Sequence, residues 1–418
     1  MSSLAGQDWF EKPALKRIFA LLNADGGEVR IVGGAVRNAL MGLPVADVDM
    51  ATTLTPDVVV ARARAAGIKA VPTGIEHGTV TLVIDGEGFE VTTLRRDVET
   101  NGRHAQVAFG TDWQTDAERR DLTINALYAD ENGEIIDLIN GLPDIETGTV
   151  RFIGDAATRI SEDYLRILRF FRFFAHYGSG RPDADGLRAS ARAKDKLATL
   201  SAERVWSEVK KLLSARDPSR ALLWMRQSGV LSEILPETEK WGIDAIHGLV
   251  AAEQALGWAV EPMLRLAAIV PPDRERLAAL SARLRLSKAE ASYLSNWASA
   301  PAADPDLKDT ALDRLLYRQG VDGMKARLKL ALAAARADIS AGDTAMQKVA
   351  RFSTLLARAE KFQKPAFPLS GADVMAAGVE AGPKVGNVLK SLEEKWIDVN
   401  FSLDRAALTA RLKDMLEH

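Results

Sequence analysis

The sequence of 418 residues contains no cysteine and only five histidines. The lack of cysteine excludes disulfides, thiol nucleophiles, thiolate zinc sites and iron–sulfur clusters, and it is typical of proteins in a reducing compartment. Histidine is too sparse to predict a histidine-built metal site. The sequence has no apolar stretch of about 18 residues, and its first residues lack the basic and apolar parts of a signal peptide. We therefore expect a soluble, cytoplasmic protein that does not bind a membrane.

The length and charge distribution predict more than one functional part. A chain of this length is expected to form roughly two to four compact units. Its 47% hydrophobic and 27% charged residues are ordinary for a globular protein and argue against disorder. Acidic residues outnumber basic ones over residues 1–150, and the reverse holds over 151–226. This asymmetry suits a protein that binds metal ions in one part and a polyanion in the next, although a solvated basic surface gives the same pattern.

Hydrophobic periodicity predicts an α+β fold with a small mixed sheet at the beginning of the chain. Residues 45–52 are predicted as a strand, and residues 79–94 as two strands that turn at Asp85–Gly88. From Asp155 onward the pattern is almost wholly helical, with breaks at glycine, proline and aspartate. We expect a head over residues 1–150, a helical neck over 151–235, and a helical body and tail over 236–418.

Three carboxylates of the head are candidate metal ligands or catalytic groups. Asp47 and Asp49 are two residues apart in the predicted strand, so their side chains project from the same face and repel each other. A divalent cation such as Mg²⁺ removes that repulsion and bridges to phosphate oxygens. Glu90 lies in the second strand of the predicted hairpin, where it can complete a metal site or act as a base. An ordinary strand end gives the same spacing, so the other motifs decide between the two interpretations.

Two further motifs suit the phosphates and sugar of a nucleotide. Gly33 and Gly34 follow a predicted strand and precede a short helix that carries Arg37, so the backbone can approach an oxyanion that the guanidinium also binds. Arg120 and Asp121 precede a segment predicted as an apolar helix, where they can clamp a triphosphate and accept from a ribose hydroxyl. The spacing matches neither the dinucleotide-binding fingerprint nor a P-loop.

A helix predicted over residues 162–172 carries a residue pair suited to a nucleobase. Asp163 and Arg166 are three residues apart and therefore neighbours on one helical face. A carboxylate accepts from an exocyclic amino group and a guanidinium donates to a ring nitrogen, which cytosine and adenine match and uracil and guanine do not. An intrahelical ion pair is the alternative. Helical geometry places Arg172 nearly opposite Asp163, so Arg169 or Arg172 is expected to reach phosphate or RNA.

In their order along the chain, these motifs resemble those of the class II tRNA nucleotidyltransferases and bacterial poly(A) polymerases. The members that add CCA to tRNA are the nearest match. The resemblance rests on I-V-G-G-A-V-R at 31–37, D-x-D at 47–49, E-V-T-T at 90–93, the block 119–126, and E-D-x-x-R-x-x-R at 162–169. Residues 203–213 are similar to the family's neck helix, and residues 369–396 loosely resemble its tail. The chain departs from the family at Asn38, where aspartate usually follows the motif arginine.

The resemblance implies a polymerase-beta-like nucleotidyltransferase head, two Mg²⁺ ions, and template-independent transfer of nucleotides from CTP and ATP to the 3′ end of tRNA with release of pyrophosphate. It assigns the metals to Asp47 and Asp49, with Glu90 as a third catalytic carboxylate. It assigns nucleotide binding to Gly33, Gly34, Arg37, Arg120, Asp121, Asp163, Arg166, Arg169 and Arg172. For Arg172 this assignment differs from the helical geometry, which places it nearly opposite Asp163. No obligate protein partner is inferred. The alternatives are a poly(A) polymerase, a partial enzyme that adds only CC or only A, and an RNA-binding module with an idle head.

Overall fold

The computed structural model describes residues 3–101, 104–239, 241–338 and 342–417, and within these ranges the side chains outside 96–107. The chain divides into two compact units, Met1–Pro236 and Glu237–His418. The expected boundary between head and neck lies inside the first unit, so the division into three parts stays a prediction. In the described part of the chain, no helix is long and apolar enough to cross a membrane.

The head contains one mixed sheet and a separate hairpin, as the α+β prediction requires. Its strands are β1 (Val29–Val32), β2 (Asp49–Thr52), β3 (Lys69–Gly74), β4 (Thr79–Ile84), β5 (Glu87–Thr93), β6 (Arg95–Asn101), β7 (His104–Phe109), β8 (Leu127–Ala129) and β9 (Ile135–Asp137). Seven strands form one sheet in the order β3-β4-β5-β2-β1-β8-β9, and β6 pairs with β7. Within the seven-stranded sheet, β2 and β5 are parallel and the other neighbours are antiparallel.

The predicted hairpin is confirmed as β4 and β5. Its turn is formed by Asp85 and Gly86, both with positive φ angles of 54° and 84°. Two such residues fit the right-handed twist of the flanking strands, and Ile84 pairs with Glu87 directly across the turn. Because register in a hairpin is set by its turn, this local sequence fixes the pairing of Glu90 with Thr81 on β4.

Strand β2 is shorter than predicted, because it begins at Asp49 and leaves Asp47 in the extended segment before it. Antiparallel pairing of β1 with β2 runs up to the pair Ile31 and Met50. Beyond Val32 the chain turns at Gly33 into a helix, so β1 offers no further residues for pairing. Asp47 therefore has no strand partner in β1.

Helices surround the sheet and continue through the rest of the first unit. They are α1 (Pro13–Leu22), α2 (Gly34–Leu40), α3 (Pro56–Ala65), α4 (Trp113–Glu118), α5 (Leu142–Thr147), α6 (Ala156–Glu162), α7 (Leu165–Tyr177), α8 (Ala184–Ala193), α9 (Ala202–Leu213), α10 (Ser219–Gln227) and α11 (Val230–Ile234). Helix α7 packs against α9 and buries its aromatic face, where Phe170 stacks on Phe152. Amphipathic periodicity in the sequence accounts for this face.

Two local predictions in this region were wrong. The segment after Arg120 is no apolar α-helix: it forms a short 3₁₀ turn over Thr123–Asn125 and then strand β8, whose three residues are all buried between β1 and β9. The helix expected over residues 162–172 is interrupted at Asp163, whose extended backbone (φ −154°, ψ 108°) separates α6 from α7. The Asp163 side chain accepts from the backbone N–H of Leu165 (3.1 Å), a local bond that competes with helix continuation.

The second unit is helical throughout its described residues, as predicted. Its helices are α12 (Ala245–Leu256), α13 (Pro262–Ile269), α14 (Arg274–Arg283), α15 (Lys288–Ser299), α16 (Asp309–Gln319), α17 (Val321–Ala337), α18 (Asp343–Lys361), α19 (Gly371–Ala376), α20 (Pro383–Asp398) and α21 (Arg405–Glu417). One cluster of apolar side chains joins α16, α17 and α18, and another joins α19, α20 and α21. Glu253 and Arg265 form a fully buried ion pair between α12 and α13.

Candidate active site

A cavity of about 610 Å³ in the first unit brings most of the predicted site residues together. Its lining consists of Val32, Gly33, Gly34, Arg37, Asp49, Met50, Glu90, Thr92, Arg95, Arg119, Arg120, Asp121, Asn125, Asp163, Leu165, Arg166, Arg169, Phe173 and Arg204. Of the residues predicted from the sequence, Asp47 and Arg172 are absent from this lining. The cavity thus combines the motifs of the sheet, of the loop after α4 and of the neck helices.

One side of the cavity carries a cluster of carboxylates. Asp49 is the first residue of β2 and lies beside Glu90 in the parallel register of β2 and β5. Burial raises the pKa of Asp49, and the charges of Glu90 and Asp47 raise it further, whereas Arg120 opposes the shift. The three acidic groups therefore repel one another, which is the arrangement that a bound cation would stabilise.

The carboxylates of Asp47, Asp49 and Glu90, here called the acidic edge, fit a divalent metal ion that also binds a ligand. In the described residues, no group of three or more His, Asp and Glu side chains is arranged to hold a metal by itself. Mg²⁺, however, is usually bound by one or two carboxylates together with substrate phosphates rather than by a complete protein cage. Asp49 supplies one such carboxylate inside the cavity, and Asp47 lies close enough to affect its ionisation.

The glycine turn lies between two guanidinium groups. Gly33 adopts φ 71° and ψ −115°, a backbone conformation that only glycine accepts without strain. A methyl group built on Gly33 would lie 3.9 Å from Nη1 of Arg120, and one built on Gly34 would lie 3.7 Å from Nη2 of Arg37. The turn therefore leaves open backbone flanked on both sides by positive charge, as a phosphate site requires.

The arginines at one side of this turn are held by a carboxylate that sequence reasoning missed. Asp116 is 1% exposed and accepts from Nε of Arg119 (2.9 Å), from Nη2 of Arg120 (2.9 Å) and from the hydroxyl of Tyr128 (2.8 Å). Burial opposes ionisation of Asp116, but Arg120 and Arg119 outweigh it and hold the pKa of this carboxyl below its usual value. The available signal was an aspartate three and four residues before two adjacent arginines at a helix end.

Asp121 is engaged on both carboxylate oxygens. One oxygen accepts from Nε of Arg169 (2.6 Å), and the other accepts from the backbone N–H of Leu122 (2.9 Å) and from Nδ2 of Asn125 (3.2 Å). Burial raises the pKa of Asp121, yet Arg169 and the hydrogen bonds lower it overall. The direct observation is thus that Asp121 fixes Arg169 at the cavity wall.

The two residues expected to read a base both line the cavity but do not pair with each other. Asp163 accepts from Nη2 of Arg204 on α9 (2.6 Å), and Arg166 forms an ion pair with Glu162. The expectation that Asp163 and Arg166 share the face of one helix was wrong, because the helix break places Asp163 before α7. Sequence reasoning placed Arg204 in a neck helix and missed its contact with the site.

Arg172 lies on α7 outside the cavity lining. Its Nε is 2.5 Å from a carboxylate oxygen of Glu208 on α9, and its guanidinium stacks at 4.1 Å from the ring centroid of Phe173. This position agrees with the helical geometry rather than with direct nucleotide contact. The observed partner of Arg172 is therefore the neck helix.

The chain is similar to known nucleotidyltransferases over almost its whole length. Residues 29–151 match the family profile of the Poly A polymerase head domain, and residues 183–241 match a profile described as the probable RNA and SrmB-binding site of polymerase A. The mouse (Mus musculus) protein named CCA tRNA nucleotidyltransferase 1, mitochondrial, is 34% identical over 406 residues, which cover 96% of this chain and 89% of the relative.

Two bacterial proteins extend this similarity. The CCA-adding enzyme of Streptococcus gordonii is 32% identical over 415 residues, covering 96% of both chains. The crystal structure of the Bacillus stearothermophilus CCA-adding enzyme in complex with CTP matches with a TM-score of 0.72 and 26% identity, and the match covers 97% of this chain and 98% of the other. Sequence and structure thus point to the same group of proteins.

The depressed pKa of Asp116 predicts an acid-sensitive contribution to stability. Because folded Asp116 binds a proton less readily than the unfolded residue does, its contribution is complete above the unfolded pKa and is lost as the pH falls through the folded value. Asp116→Asn is expected to lower the free energy of unfolding at pH 7 by roughly 1.5–3 kcal/mol. The free energy of unfolding of this variant should also fall less steeply than that of the parent protein between about pH 5 and pH 3.

Urea unfolding across this pH range measures both effects. Asp57→Asn, which changes an exposed carboxylate on α3, is the matched control and should leave both quantities near those of the parent protein. An Asp116→Asn variant with parental stability and parental pH slope would contradict the assignment.

Proposed function

The chain belongs to the tRNA nucleotidyltransferase and poly(A) polymerase family, as its motifs predicted, and we propose that it adds C, C and A from CTP and ATP to the 3′ end of tRNA. It is a nucleotidyltransferase. The observation that carries the proposal is the single cavity in which acidic residues, a glycine turn between arginines and a carboxylate–guanidinium set on the neck all meet. We assign the acidic residues to the metal, the glycine turn to the triphosphate, and the carboxylate–guanidinium set to the base.

We propose that Mg²⁺ binds at the acidic edge, held by Asp47 and Asp49. The chemistry supplied by bound metal is activation of the attacking 3′-hydroxyl of the RNA and stabilisation of the leaving pyrophosphate. Asp49 fits this role because its carboxylate is partly desolvated beside Glu90 and Asp47. Glu90 pairs in register with Asp49, adds negative charge to the edge, and is proposed to complete the metal site or to act as a base.

The triphosphate is proposed to lie along the glycine turn. Gly33 and Gly34 allow the close approach of an oxyanion, and Arg37 and Arg120 flank it. Arg120 is fixed by Asp116 and therefore meets the phosphates with little loss of side-chain freedom. Arg37 and Arg120 thus neutralise charge on the departing pyrophosphate.

Base selection is proposed to rest on Asp163 and Arg166. Arg204 holds the carboxylate of Asp163 and Glu162 holds the guanidinium of Arg166, so both groups are positioned before a nucleotide arrives. Cytosine and adenine each present an amino group and a ring nitrogen to such a pair, whereas uracil and guanine present a carbonyl to the carboxylate. Two further ion pairs, Arg169 with Asp121 and Arg172 with Glu208, fix side chains on α7, the helix that carries Arg166.

We propose that the neck and the second unit bind tRNA. The neck segment carries the excess of basic residues, and residues 183–241 match the RNA-binding profile. Phosphate contacts from such a surface provide affinity without sequence readout. We also propose a cytoplasmic location, which rests on the sequence alone: the mouse relative is named mitochondrial, whereas the Streptococcus gordonii relative is bacterial.

The reaction is tested with purified protein, Mg²⁺ and tRNA transcripts that lack CCA, lack only A, or are complete, with each nucleoside triphosphate offered singly and together. The expected result is two C and then one A, confined to tRNA and absent with the complete tRNA or an unrelated oligomer. Long A tails on any RNA would indicate a poly(A) polymerase. Addition of only CC or only A would indicate a partial enzyme. RNA binding without incorporation would indicate an idle head.

Asp49→Asn is expected to separate catalysis from stability. Removing one of three repelling charges should leave the free energy of unfolding unchanged or slightly higher. Loss of a metal-binding carboxylate should lower the rate of nucleotide addition by about 100-fold or more, the upper end of what outer-shell groups contribute. Urea unfolding and single-turnover addition measure the two effects, and parental turnover would contradict the metal assignment.

Asp163→Ala is expected to relax nucleotide choice. The preference for CTP and ATP over UTP and GTP should fall by roughly 1–3 kcal/mol, because the mismatched carbonyl no longer meets a carboxylate. Competitive incorporation with the four triphosphates measures the preference. Asp57→Ala on α3 is the control and should keep the parental selectivity. Unchanged discrimination in Asp163→Ala would contradict its role at the base.

A further inference from the structure

Arg37 differs in its partners from five other arginines of the cavity, namely Arg119, Arg120, Arg166, Arg169 and Arg204. Asp116 holds Arg119 and Arg120, and the remaining pairs are Arg166 with Glu162, Arg169 with Asp121, and Arg204 with Asp163. Within the described residues, no carboxylate lies within ion-pair distance of the Arg37 guanidinium. Arg37 is nevertheless only 6% exposed. This buried cation of the cavity thus lacks a fixed counter-ion.

The hydrogen bonds of Arg37 all go to neutral acceptors. Nη2 donates to Oδ1 of Asn38 (2.9 Å) and to the hydroxyl of Tyr177 (2.8 Å), Nε donates to Oδ1 of Asn38 (3.2 Å), and Nη1 donates to the side-chain carbonyl of Asn125. The ring of Tyr177 stacks 4.0 Å from the guanidinium carbon. The orientation of Arg37 is therefore fixed on several sides without neutralisation of its charge.

The environment also disfavours the charged form of Arg37. Burial lowers the pKa of this guanidinium, and the charge of Arg172 lowers it further, while Tyr177 and Asp121 oppose the shift. Arginine stays protonated at any physiological pH, so the cost appears as destabilisation of the free protein. An anion that enters the cavity beside Gly34 removes this cost.

Asn38 is the residue that sets this charge balance. Its Nδ2 donates to the carbonyl of Pro44 (3.0 Å), which directs Oδ1 towards Arg37. Aspartate would place a negative charge at the position of that oxygen, 2.9 Å from Nη2, but its second oxygen cannot donate and would lose the hydrogen bond to the carbonyl of Pro44. It would then neutralise Arg37 before any ligand binds.

We infer that Asn38 is an affinity-determining residue of the phosphate subsite: as a neutral acceptor it orients Arg37 and leaves the guanidinium charge for the triphosphate. The inference rests on the proposed function for the identity of that anion. Asn38 acts through Arg37 and is therefore a positioning residue. Its neutrality increases affinity for the phosphates common to CTP, ATP and pyrophosphate, and it has no part in the choice of base.

Asn38→Asp is expected to shift stability and affinity in opposite directions. The new ion pair with buried Arg37 should outweigh the lost hydrogen bond to Pro44 and raise the unfolding midpoint of the ligand-free protein. The same pair should weaken binding of CTP, ATP and pyrophosphate by about tenfold each, equivalent to 1.4 kcal/mol. The KM for both nucleotides should rise by a similar factor, with kcat within about threefold of the parent and base selectivity unchanged.

The matched variant is Asn38→Ala, which removes the hydrogen bonds and adds no charge. It should lower stability and weaken triphosphate binding less than Asn38→Asp does. Calorimetric binding with Mg²⁺ and without tRNA, together with thermal unfolding, provides both readouts. If Asn38→Asp lowers stability and affinity together, or binds triphosphate as the parent does, or matches Asn38→Ala, the inference is overturned.

The same experiment distinguishes failure of this inference from failure of the proposed function. Binding is measured without tRNA, so a parent protein that binds nucleotides but adds none to tRNA contradicts only the proposed function. A parent protein that binds no triphosphate overturns the inference as well. Addition of CCA to tRNA by a parent whose nucleotide affinity is insensitive to charge at position 38 overturns only the inference.

Discussion

The buried carboxylate of Asp116 is the interaction on which the geometry of the cavity most depends. It fixes Arg119 and Arg120 and accepts a hydrogen bond from the hydroxyl of Tyr128 on strand β8. Arg120 in turn lies beside the glycine turn and favours the ionised form of Asp49. Through these contacts the carboxylate of Asp116 on α4 connects strand β8, the glycine turn at Gly33 and Gly34, and Asp49.

Ion pairs fix the charged side chains of the neck helices in the same way that Asp116 fixes Arg119 and Arg120. Asp121 holds Arg169, Glu162 holds Arg166, and Arg204 holds Asp163, so helices α7 and α9 present charged groups in fixed positions. Fixed charges in a partly desolvated cavity stabilise a reacting phosphate more than mobile ones do, because little reorganisation accompanies the reaction. The cavity therefore holds acidic residues of the sheet and fixed cations within reach of the same ligand.

The sequence predicted the parts of the site whose signals are local. The turn at Asp85 and Gly86 determined the register of β4 with β5, and the two glycines at 33–34 predicted the turn after β1. Contacts between distant segments carry no such signal: Arg204 meets Asp163 from 41 residues further along the chain. The break at Asp163 was missed because apolar periodicity continues through α6 and α7 while one side-chain hydrogen bond ends the helix.

The proposed function requires that this cavity binds a metal-complexed nucleoside triphosphate and distinguishes its base. Equilibrium binding of CTP, ATP, UTP and GTP to the protein without tRNA, each with and without Mg²⁺, tests this requirement most directly. We expect tight binding of CTP and ATP that requires Mg²⁺, and binding of UTP and GTP that is about tenfold weaker or more. Equal, metal-independent binding of all four nucleotides would contradict it.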